Sequence, residues 1–313
     1  MSSPGEDRNP VITCGEVRTC LLPTRDALDE RRAGALLRLR PDERVGISRH
    51  PNRSVASPDI LTGVDCVLPT DTGTRVRAVG TVRTHALLVE GRVLQSTAFF
   101  SLPAAGAERR HAWGYYLARP GCLVPIGRLP RKPVGRGFLL GHRPGQLDVG
   151  SIAEGMLARV CRRSRILDHD PPLTTADTHL RWTAVTATAG EQPSSLFTKG
   201  PDGLRTVELR LPSGVPPTAA VKLCEDLALH DWLLTTVADR LDGLRTDADT
   251  RAVLTVVRPL VDHLLHLWMP GARVDRTLRT AWRQLEETPG YSRQWKALTQ
   301  RIRDQLALRA IHL

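Results

Sequence analysis

The sequence predicts an α+β protein, with a β-rich mixed domain over residues 1–215 and an all-α domain of about four helices over residues 216–313. Segments rich in Val, Thr and Phe dominate the first part of the chain, as is typical of strands. The stretch LPSGVPPT, which contains Pro216 and Pro217, then changes the composition. Everything after it has helical periodicity and short connections, which indicates a helical bundle.

The elements of the N-terminal part follow from residue type and spacing. VITCGEVRTCLL has strand character, and RDALDERRAGALLRL predicts a helix because its Leu and Ala residues recur every three or four positions. TRVRAVGTVRTHALLVEGRVLQSTAFFSL predicts two strands joined by a tight turn at Glu90 and Gly91. IGRLPRKPVGRGFLLGHRPGQ predicts a long loop. SIAEGMLARVCRR predicts a helix with Ser151 and Glu154 at capping-box spacing, and LRWTAVTAT and LRTVELRL predict two further strands.

Four helices are expected in the C-terminal part, because apolar residues recur there at helical spacing. The turn sequences MPG and TPG end the second and third of them. The expected helices run from about Thr218 to Leu241, from about Asp249 to Trp268, from about Asp275 to Glu287 and from about Tyr291 to Ala310.

Composition restricts the compartment and the class of protein. Of the 313 residues, 41% are hydrophobic, which is enough for a globular core. The six cysteines form no CxxC pair, which favours reduced and mostly buried thiols. MSSPGEDRNP lacks the apolar segment of a signal peptide, and no window approaches 18 uninterrupted apolar residues. We therefore expect a soluble cytoplasmic protein that does not enter a membrane.

The surplus of basic residues favours an anionic partner. The formal net charge is +11 and the isoelectric point is about 10.1, as in many nucleic-acid-binding proteins. Basic residues also share one face on each of the last two predicted helices, which indicates either contacts with phosphates or a solvated arginine face. The candidate residues are Arg276, Arg279, Arg283, Arg293, Lys296 and Arg303.

A second candidate surface is the segment ERRHAWGYYLARPG. Arginines flank Trp113, Tyr115 and Tyr116 in a chain with only 4% aromatic residues. Interleaved basic and aromatic residues are typical of surfaces that bind single-stranded nucleic acid or protein. A small aromatic core cluster beneath the sheet explains the pattern equally well.

The stretch KLCEDLALHDWLLTTV places an acid and a histidine inside the apolar stripe of a helix. Asp226 and His230 are four residues apart, so their side chains can meet. One hypothesis is a buried polar pair that determines how this helix docks. The other is a metal-dependent enzyme in which His263, from the next helix, joins Asp226 and His230. The sequence contains no P-loop, HExxH, GxSxG or kinase motif, so we expect no cofactor and favour a non-enzymatic protein.

Several segments together carry a resemblance: GEVRTCLL, LTGVDC, VRAVGTV, YLARPG, LCEDLALHDWLLTT, VDHLLHLWMPGARVD and RIRDQLALR. They resemble an uncharacterised actinobacterial family of Streptomyces type. Its members are encoded in a gene cluster with a variant P-loop protein and a methyltransferase-like protein. The resemblance implies a multi-component intracellular system, and it transfers no catalytic residue.

Three hypotheses about function remain. The first is a non-catalytic interaction or adaptor component that contacts the other proteins of its gene cluster. The second is a nucleic-acid-binding module that uses the basic faces of the C-terminal helices. The third is a metal-dependent enzyme built on Asp226 and His230.

Overall fold

The computed structural model describes residues 12–163, 165–187, 191–201, 203–244, 250–288 and 290–310. Within these residues, ten strands belong to one mixed sheet. The strands are β1 Ile12–Leu21, β2 Gly46–Ser48, β3 Ser54–Ala56, β4 Ile60–Leu68, β5 Val76–Val89, β6 Val93–Leu102, β7 Leu123–Pro125, β8 Thr178–Thr186, β9 Ser194–Lys199 and β10 Arg205–Leu211. The α-helices are α1 Glu30–Leu37, α2 Trp113–Leu117, α3 Arg131–Leu140, α4 Val149–Cys161, α5 Pro217–Asp242, α6 Thr250–His263, α7 Arg279–Glu287 and α8 Tyr291–Ala310.

The strand order is β2-β3-β5-β6-β1-β8-β10-β9, and β4 and β7 also pair with β5. The pair β8–β10 is parallel, and the other described pairs are antiparallel. Because β5 has 14 residues, it has two sets of neighbours: β4 and β7 along its first half, β3 and β6 along its second half. The second half places His85 directly opposite Thr97 of β6.

Helices cover both faces of the sheet. On one face, Val17, Phe99 and Trp182 pack with residues of α5 to α8 in a common core. Alternate residues such as Cys14 and Phe100 point to the other face, where they pack with residues of α3 and α4. Since side chains alternate along a strand, β1, β5 and β6 contribute to separate cores on the two faces. The result is a three-layer arrangement of helices, sheet and helices.

The tight turn predicted at Glu90 and Gly91 is present between β5 and β6. The two residues have φ angles of 48° and 64°, and a type I′ hairpin turn needs positive φ at both central positions. Glycine is also required by a close approach, since a Cβ on Gly91 would lie 2.0 Å from the carbonyl oxygen of Leu28.

The long loop predicted for IGRLPRKPVGRGFLLGHRPGQ is partly wrong, because α3 lies within it. Pro133 is in the first turn of α3, where the missing N–H needs no helical partner. Gly137 lets the helix approach Thr70 closely, because a Cβ there would lie 2.3 Å from the Thr70 Cα. Tertiary packing therefore stabilises a helix that its Pro and Gly content argues against. The predicted Ser151 cap is also wrong, since Asp148 caps α4.

The C-terminal part is helical from Pro217 onward, as predicted, and the α+β class is confirmed. The second predicted helix ends earlier, at His263, and two 3-10 turns, Leu265–Leu267 and Arg276–Leu278, lie between α6 and α7. A self-contained four-helix bundle is not confirmed, because α5 contacts β1, β6 and β8 as well as α6 and α8. The division into two domains at residue 216 stays a prediction.

All six cysteines are free thiols, and each is buried or half-buried. Among the described residues, no helix combines the length and the apolar character that a membrane crossing requires.

Candidate functional site

A cavity of about 500 Å³ lies between the sheet and the first half of α5. Its walls come from β2, β3, β5, β6, the start of α5 and the segment that follows the first 3-10 turn. This volume lies within the range of small-molecule sites. Apolar side chains, including Leu87, Phe99 and Val221, form part of the wall. Its ionisable side chains include Asp59, His85, Lys222, Glu225 and Arg273.

A pair formed by the half-buried His85 and the buried Glu225 lies at the cavity wall. Nε2 of His85 is 2.6 Å from Oε1 of Glu225, and its Nδ1 is 3.5 Å from Oδ1 of Asp59. The Thr97 hydroxyl donates a second hydrogen bond to Oε1 of Glu225, at 2.7 Å. Three elements therefore meet here: β5 supplies His85, β6 supplies Thr97 and α5 supplies Glu225. Gln95 ties the same turn of α5 to the sheet by donating to the backbone carbonyl of Glu225.

The pair is held in its charged form. Burial by itself lowers the pKa of His85, but the charges and hydrogen bonds of Glu225 and Asp59 outweigh it and raise this pKa to about 10. Burial acts to raise the pKa of Glu225. The charges of His85 and Arg273 act to lower it and outweigh burial, so the pKa of Glu225 lies below its ordinary value. The pKa of Asp59 is also lowered, chiefly by its hydrogen bond with His85. At neutral pH the wall therefore carries an imidazolium between two carboxylates.

Two further cations line the cavity without strong partners. Nη2 of Arg273 is 3.8 Å from Oε2 of Glu225, which is too long for a hydrogen bond. Nη1 of Arg273 is buried and has no hydrogen-bond partner among the described residues. Lys222 lies one helical turn before Glu225 and is exposed, and no described carboxylate forms an ion pair with it. The cavity lining therefore includes two cations without a described carboxylate at hydrogen-bond distance.

Asp226 and His230, the two residues that the sequence placed in the apolar stripe of α5, are both buried. The His230 ring donates from Nδ1 to the backbone carbonyl of Asp226 at 2.6 Å, and its Nε2 accepts from the N–H of Met269 at 3.2 Å. The carboxylate of Asp226 accepts the N–H of Gly271 at 2.8 Å. Both side chains thus hold the segment that carries Arg273 into the cavity wall. We call this arrangement, Asp226 and His230 with residues 268–273, the clasp.

The clasp refines the hypothesis of a polar pair. The sequence suggested that the carboxylate would hold the histidine N–H, but the Asp226 Oδ2 to His230 Nδ1 distance is 3.6 Å, and each side chain binds backbone instead. Burial lowers the pKa of His230 and raises that of Asp226. The ring of His230 also contacts Trp268 and Trp282 edge to face. It is a neutral core histidine with both nitrogens occupied.

The structure does not bring Asp226, His230 and His263 together as a metal site. Both nitrogens of His230 are engaged by backbone groups, as described above. His263 lies beside Arg92 instead, with Nδ1 at 3.4 Å from a guanidinium nitrogen. In the described part of the chain, no group of three His, Cys, Asp or Glu side chains is arranged to hold a metal ion.

The aromatic–basic segment divides into a core and a surface. Tyr116 is fully buried, and its hydroxyl accepts the N–H of His111 at 2.9 Å. The Tyr115 ring stacks with His111 at 4.1 Å and with the Arg119 guanidinium at 3.8 Å. Groups of this size cannot share one face of a ring at these distances, so both faces of Tyr115 are covered. The segment therefore offers no free ring face at Tyr115 for a nucleic-acid base.

Trp113 is the exposed member of this segment. Its side chain is 39% exposed, and that of Leu117, one turn later in α2, is 57% exposed. The Arg110 guanidinium lies 5.6 Å from the Trp113 ring and is also paired with Asp65. We call Arg110, Trp113, Tyr115, Leu117 and Arg119 the α2 surface.

The basic residues predicted to bind phosphate lie on the C-terminal helices and the preceding turn. All six are exposed, and the described residues supply no carboxylate within ion-pair distance of any of them. Their role in binding stays a prediction. The six are Arg276, Arg279, Arg283, Arg293, Lys296 and Arg303.

Sequence reasoning missed the cavity residues. His85 lies in a segment predicted as a strand, and its neighbours Ala86 and Leu88 face the opposite core. Glu225 lies next to Asp226 in the stretch KLCEDLALHDWLLTTV, but helical spacing assigns it no partner. Alternation in β5 could have placed His85 on the α5 side of the sheet. The pairing with Glu225 depends on how α5 packs, which sequence spacing does not reveal.

Comparison of the chain with models of known families, with curated proteins and with solved structures finds no match.

Proposed function

We propose that the protein is a non-catalytic interaction component of a multi-protein system, and that it contacts a partner protein through the α2 surface. The observation that carries this proposal is the exposed pair Trp113 and Leu117, one turn apart on α2, with the Arg110 guanidinium beside Trp113. Trp, Tyr and Arg are the residues that supply most of the binding energy at protein interfaces.

The α2 surface is ordered before any partner arrives. Arg119 stacks on Tyr115 and donates to its backbone carbonyl, and Arg110 is held between Trp113 and Asp65. Side chains that are already fixed lose little conformational entropy when a partner binds. The two arginines favour a partner whose contact surface is acidic around an apolar centre.

The charges at the cavity support a role in binding rather than in catalysis. General acid–base catalysis works best when the pKa of the group lies near the working pH. The pKa of His85 is about 10, because its carboxylate neighbours outweigh the lowering that burial causes. Glu225 is held ionised by His85 and Arg273. Neither group exchanges a proton readily near neutral pH.

The resemblance to the actinobacterial family suggests which partners to test. The proteins of the same gene cluster, a variant P-loop protein and a methyltransferase-like protein, are the proposed partners, and the proposed compartment is the cytoplasm. Within this proposal the helices after Pro216 form a four-helix unit that supports the interaction surfaces.

A nucleic-acid-binding module is the second candidate. The observation that favours it is the set of exposed basic side chains between Arg276 and Arg303 without described ion-pair partners. Phosphate contacts of this kind make affinity fall steeply as salt rises, because counterions are released with each contact.

Replacement of Leu117 by Asp is expected to abolish co-purification of the partner. An acid at the centre of the α2 surface introduces a charge that must be desolvated on binding, so we expect a loss of affinity of at least about tenfold. The measurement is co-expression of the tagged protein with the two proteins of the gene cluster, followed by affinity purification at moderate salt.

Leu140→Asp is the matched control, because Leu140 is 77% exposed and lies on α3. The control should leave co-purification unchanged. Loss in both variants, or in neither, would contradict the assignment of the α2 surface. Recovery of nucleic acid that Arg279→Glu releases would favour the second candidate.

A further inference from the structure

We propose that the cavity between the sheet and α5 binds a small organic carboxylate, and that Arg273 and Lys222 contact its carboxylate group. This site goes beyond the proposed function, because docking at the α2 surface does not require a small molecule. Three observations carry it: the balance of charge at the cavity, the position of Arg273 in the lining without a carboxylate at hydrogen-bond distance, and the apolar walls.

The ionisable side chains that line the cavity carry one positive charge in excess. His85, Lys222 and Arg273 are cations, and Asp59 and Glu225 are anions. His85 is balanced by its direct pairing with Glu225 at 2.6 Å. Asp59 lies 3.5 Å from Nδ1 of His85 and 3.3 Å from Nη1 of Arg83, which does not line the cavity. Arg273 and Lys222 are the lining cations without a described carboxylate at hydrogen-bond distance, and a monoanion that contacts both neutralises the one excess charge of the lining.

The guanidinium of Arg273 needs an acceptor. Its side chain is only 13% exposed, and its Nη1 is buried without a hydrogen-bond partner in the described residues. A buried donor without a partner destabilises the folded protein. Arginine stays charged and presents its N–H groups in a planar fork that matches a carboxylate. Nη1 itself is closed off from the cavity, so a bound carboxylate accepts from the part of the guanidinium that lines it.

Lys222 lies at the exposed side of the same cavity. It is exposed, it precedes Glu225 by one turn of α5, and it lines the cavity together with Arg273. A lysine in this position attracts an anion and adds a second donor. His50 also lines the cavity.

The rest of the wall favours a ligand with an apolar body. Ala56, Leu87, Phe99 and Val221 line the cavity beside the cations. Sites for small molecules combine such apolar walls with a few charged groups that orient the ligand. A single positive charge in excess favours a carboxylate over a phosphate monoester, which carries nearly two negative charges at neutral pH.

The clasp keeps the site in place. His230 and Asp226 bind the backbone N–H groups of Met269 and Gly271, two to four residues before Arg273. A charged group that is fixed before the ligand arrives binds it more tightly, because less conformational entropy is lost.

Calorimetric titration of the full chain tests the proposal with three probes that share a naphthalene ring and differ in their polar group. The probes are 2-naphthoate, its neutral amide 2-naphthamide, and 2-naphthyl phosphate. We expect 2-naphthoate to bind at least about tenfold more tightly than either of the others. Arg273→Gln should weaken the binding of 2-naphthoate by at least about tenfold, and Lys222→Met by about threefold.

Lys296→Met is the matched control, since Lys296 is an exposed lysine on α8. It should leave the affinity for 2-naphthoate unchanged.

Ala272→Trp, at an exposed position of the cavity wall, should block binding of 2-naphthoate. If Arg273→Gln does not fold, Lys222→Met still decides, because Lys222 is exposed. Absence of naphthoate binding, equal affinity for naphthoate and naphthamide, tighter binding of the phosphate, or binding that survives Ala272→Trp would overturn the proposal. Each of these outcomes leaves the co-purification test at the α2 surface unaffected.

Discussion

The free energy of unfolding is expected to fall as the pH rises from about 7 to 10, and His85→Gln should remove most of this fall. The pKa of His85 is about 10 in the folded protein, because Glu225 and Asp59 outweigh the effect of burial, and its ordinary value is 6.5. A raised pKa means that the folded state holds the proton more tightly than the unfolded chain does. The stabilisation is therefore complete below about pH 6.5 and is lost as the pH rises through 10.

The size of this effect has an upper limit. A rise in pKa from 6.5 to about 10 corresponds to at most about 5 kcal/mol. The observed value should be smaller, because the shifts of His85 and Glu225 describe the same interaction. Chemical unfolding of the wild type and of His85→Gln at pH 6, 7, 8, 9 and 10 measures the difference. We expect the two stabilities to converge as the pH rises.

His266→Gln is the matched control, because it makes the same change at an exposed histidine. Its stability should follow that of the wild type at every pH. A constant difference between the wild type and His85→Gln from pH 6 to pH 10 would show that His85 is not held protonated. The assignment of fixed charges at the cavity would then fail.

Replacement of His230 by Ala is expected to lower the free energy of unfolding by about 2–4 kcal/mol. The change leaves the backbone N–H of Met269 without its acceptor, at about 1–3 kcal/mol, whereas the carbonyl of Asp226 keeps its hydrogen bond within α5. It also removes a ring that packs against Trp268 and Trp282. The segment that carries Arg273 should loosen as a result.

Urea unfolding measures the stability, and hydrogen exchange at the amides of Met269 and Gly271 measures the loosening. Exchange at both amides should be faster in His230→Ala. His266→Ala is the control, since His266 is exposed three residues before Met269. Unchanged exchange in His230→Ala would mean that the clasp does not hold this segment.

The α+β class followed from patterns that act over short distances. Strand alternation in β5 and β6 and the Glu90–Gly91 turn are local properties, and they were predicted correctly. The start of the helical part near Pro217 was equally local. The helix α3 was missed because its Pro and Gly residues lower intrinsic helix propensity, and close packing at Thr70 offsets this.

Asp226 and His230 show where prediction of the site ended. The spacing of four residues on a helix raised a buried polar pair as one of two hypotheses, and in the structure both side chains are buried. It did not indicate their partners, which are backbone N–H groups about 40 residues further along the chain. Backbone groups have no sequence pattern, because every residue except proline supplies one.

The sequence by itself determined the strands β1, β5, β6, β8 and β10, the long helices and the net positive charge, because each depends on residue type and on spacing within one element. Only the tertiary structure decided that His85, Glu225 and Arg273 meet at one cavity. These three residues come from β5, from α5 and from the segment between two 3-10 turns. Their meeting depends on how α5 lies across the sheet, and a charge pair that forms through packing has no fixed separation along the chain.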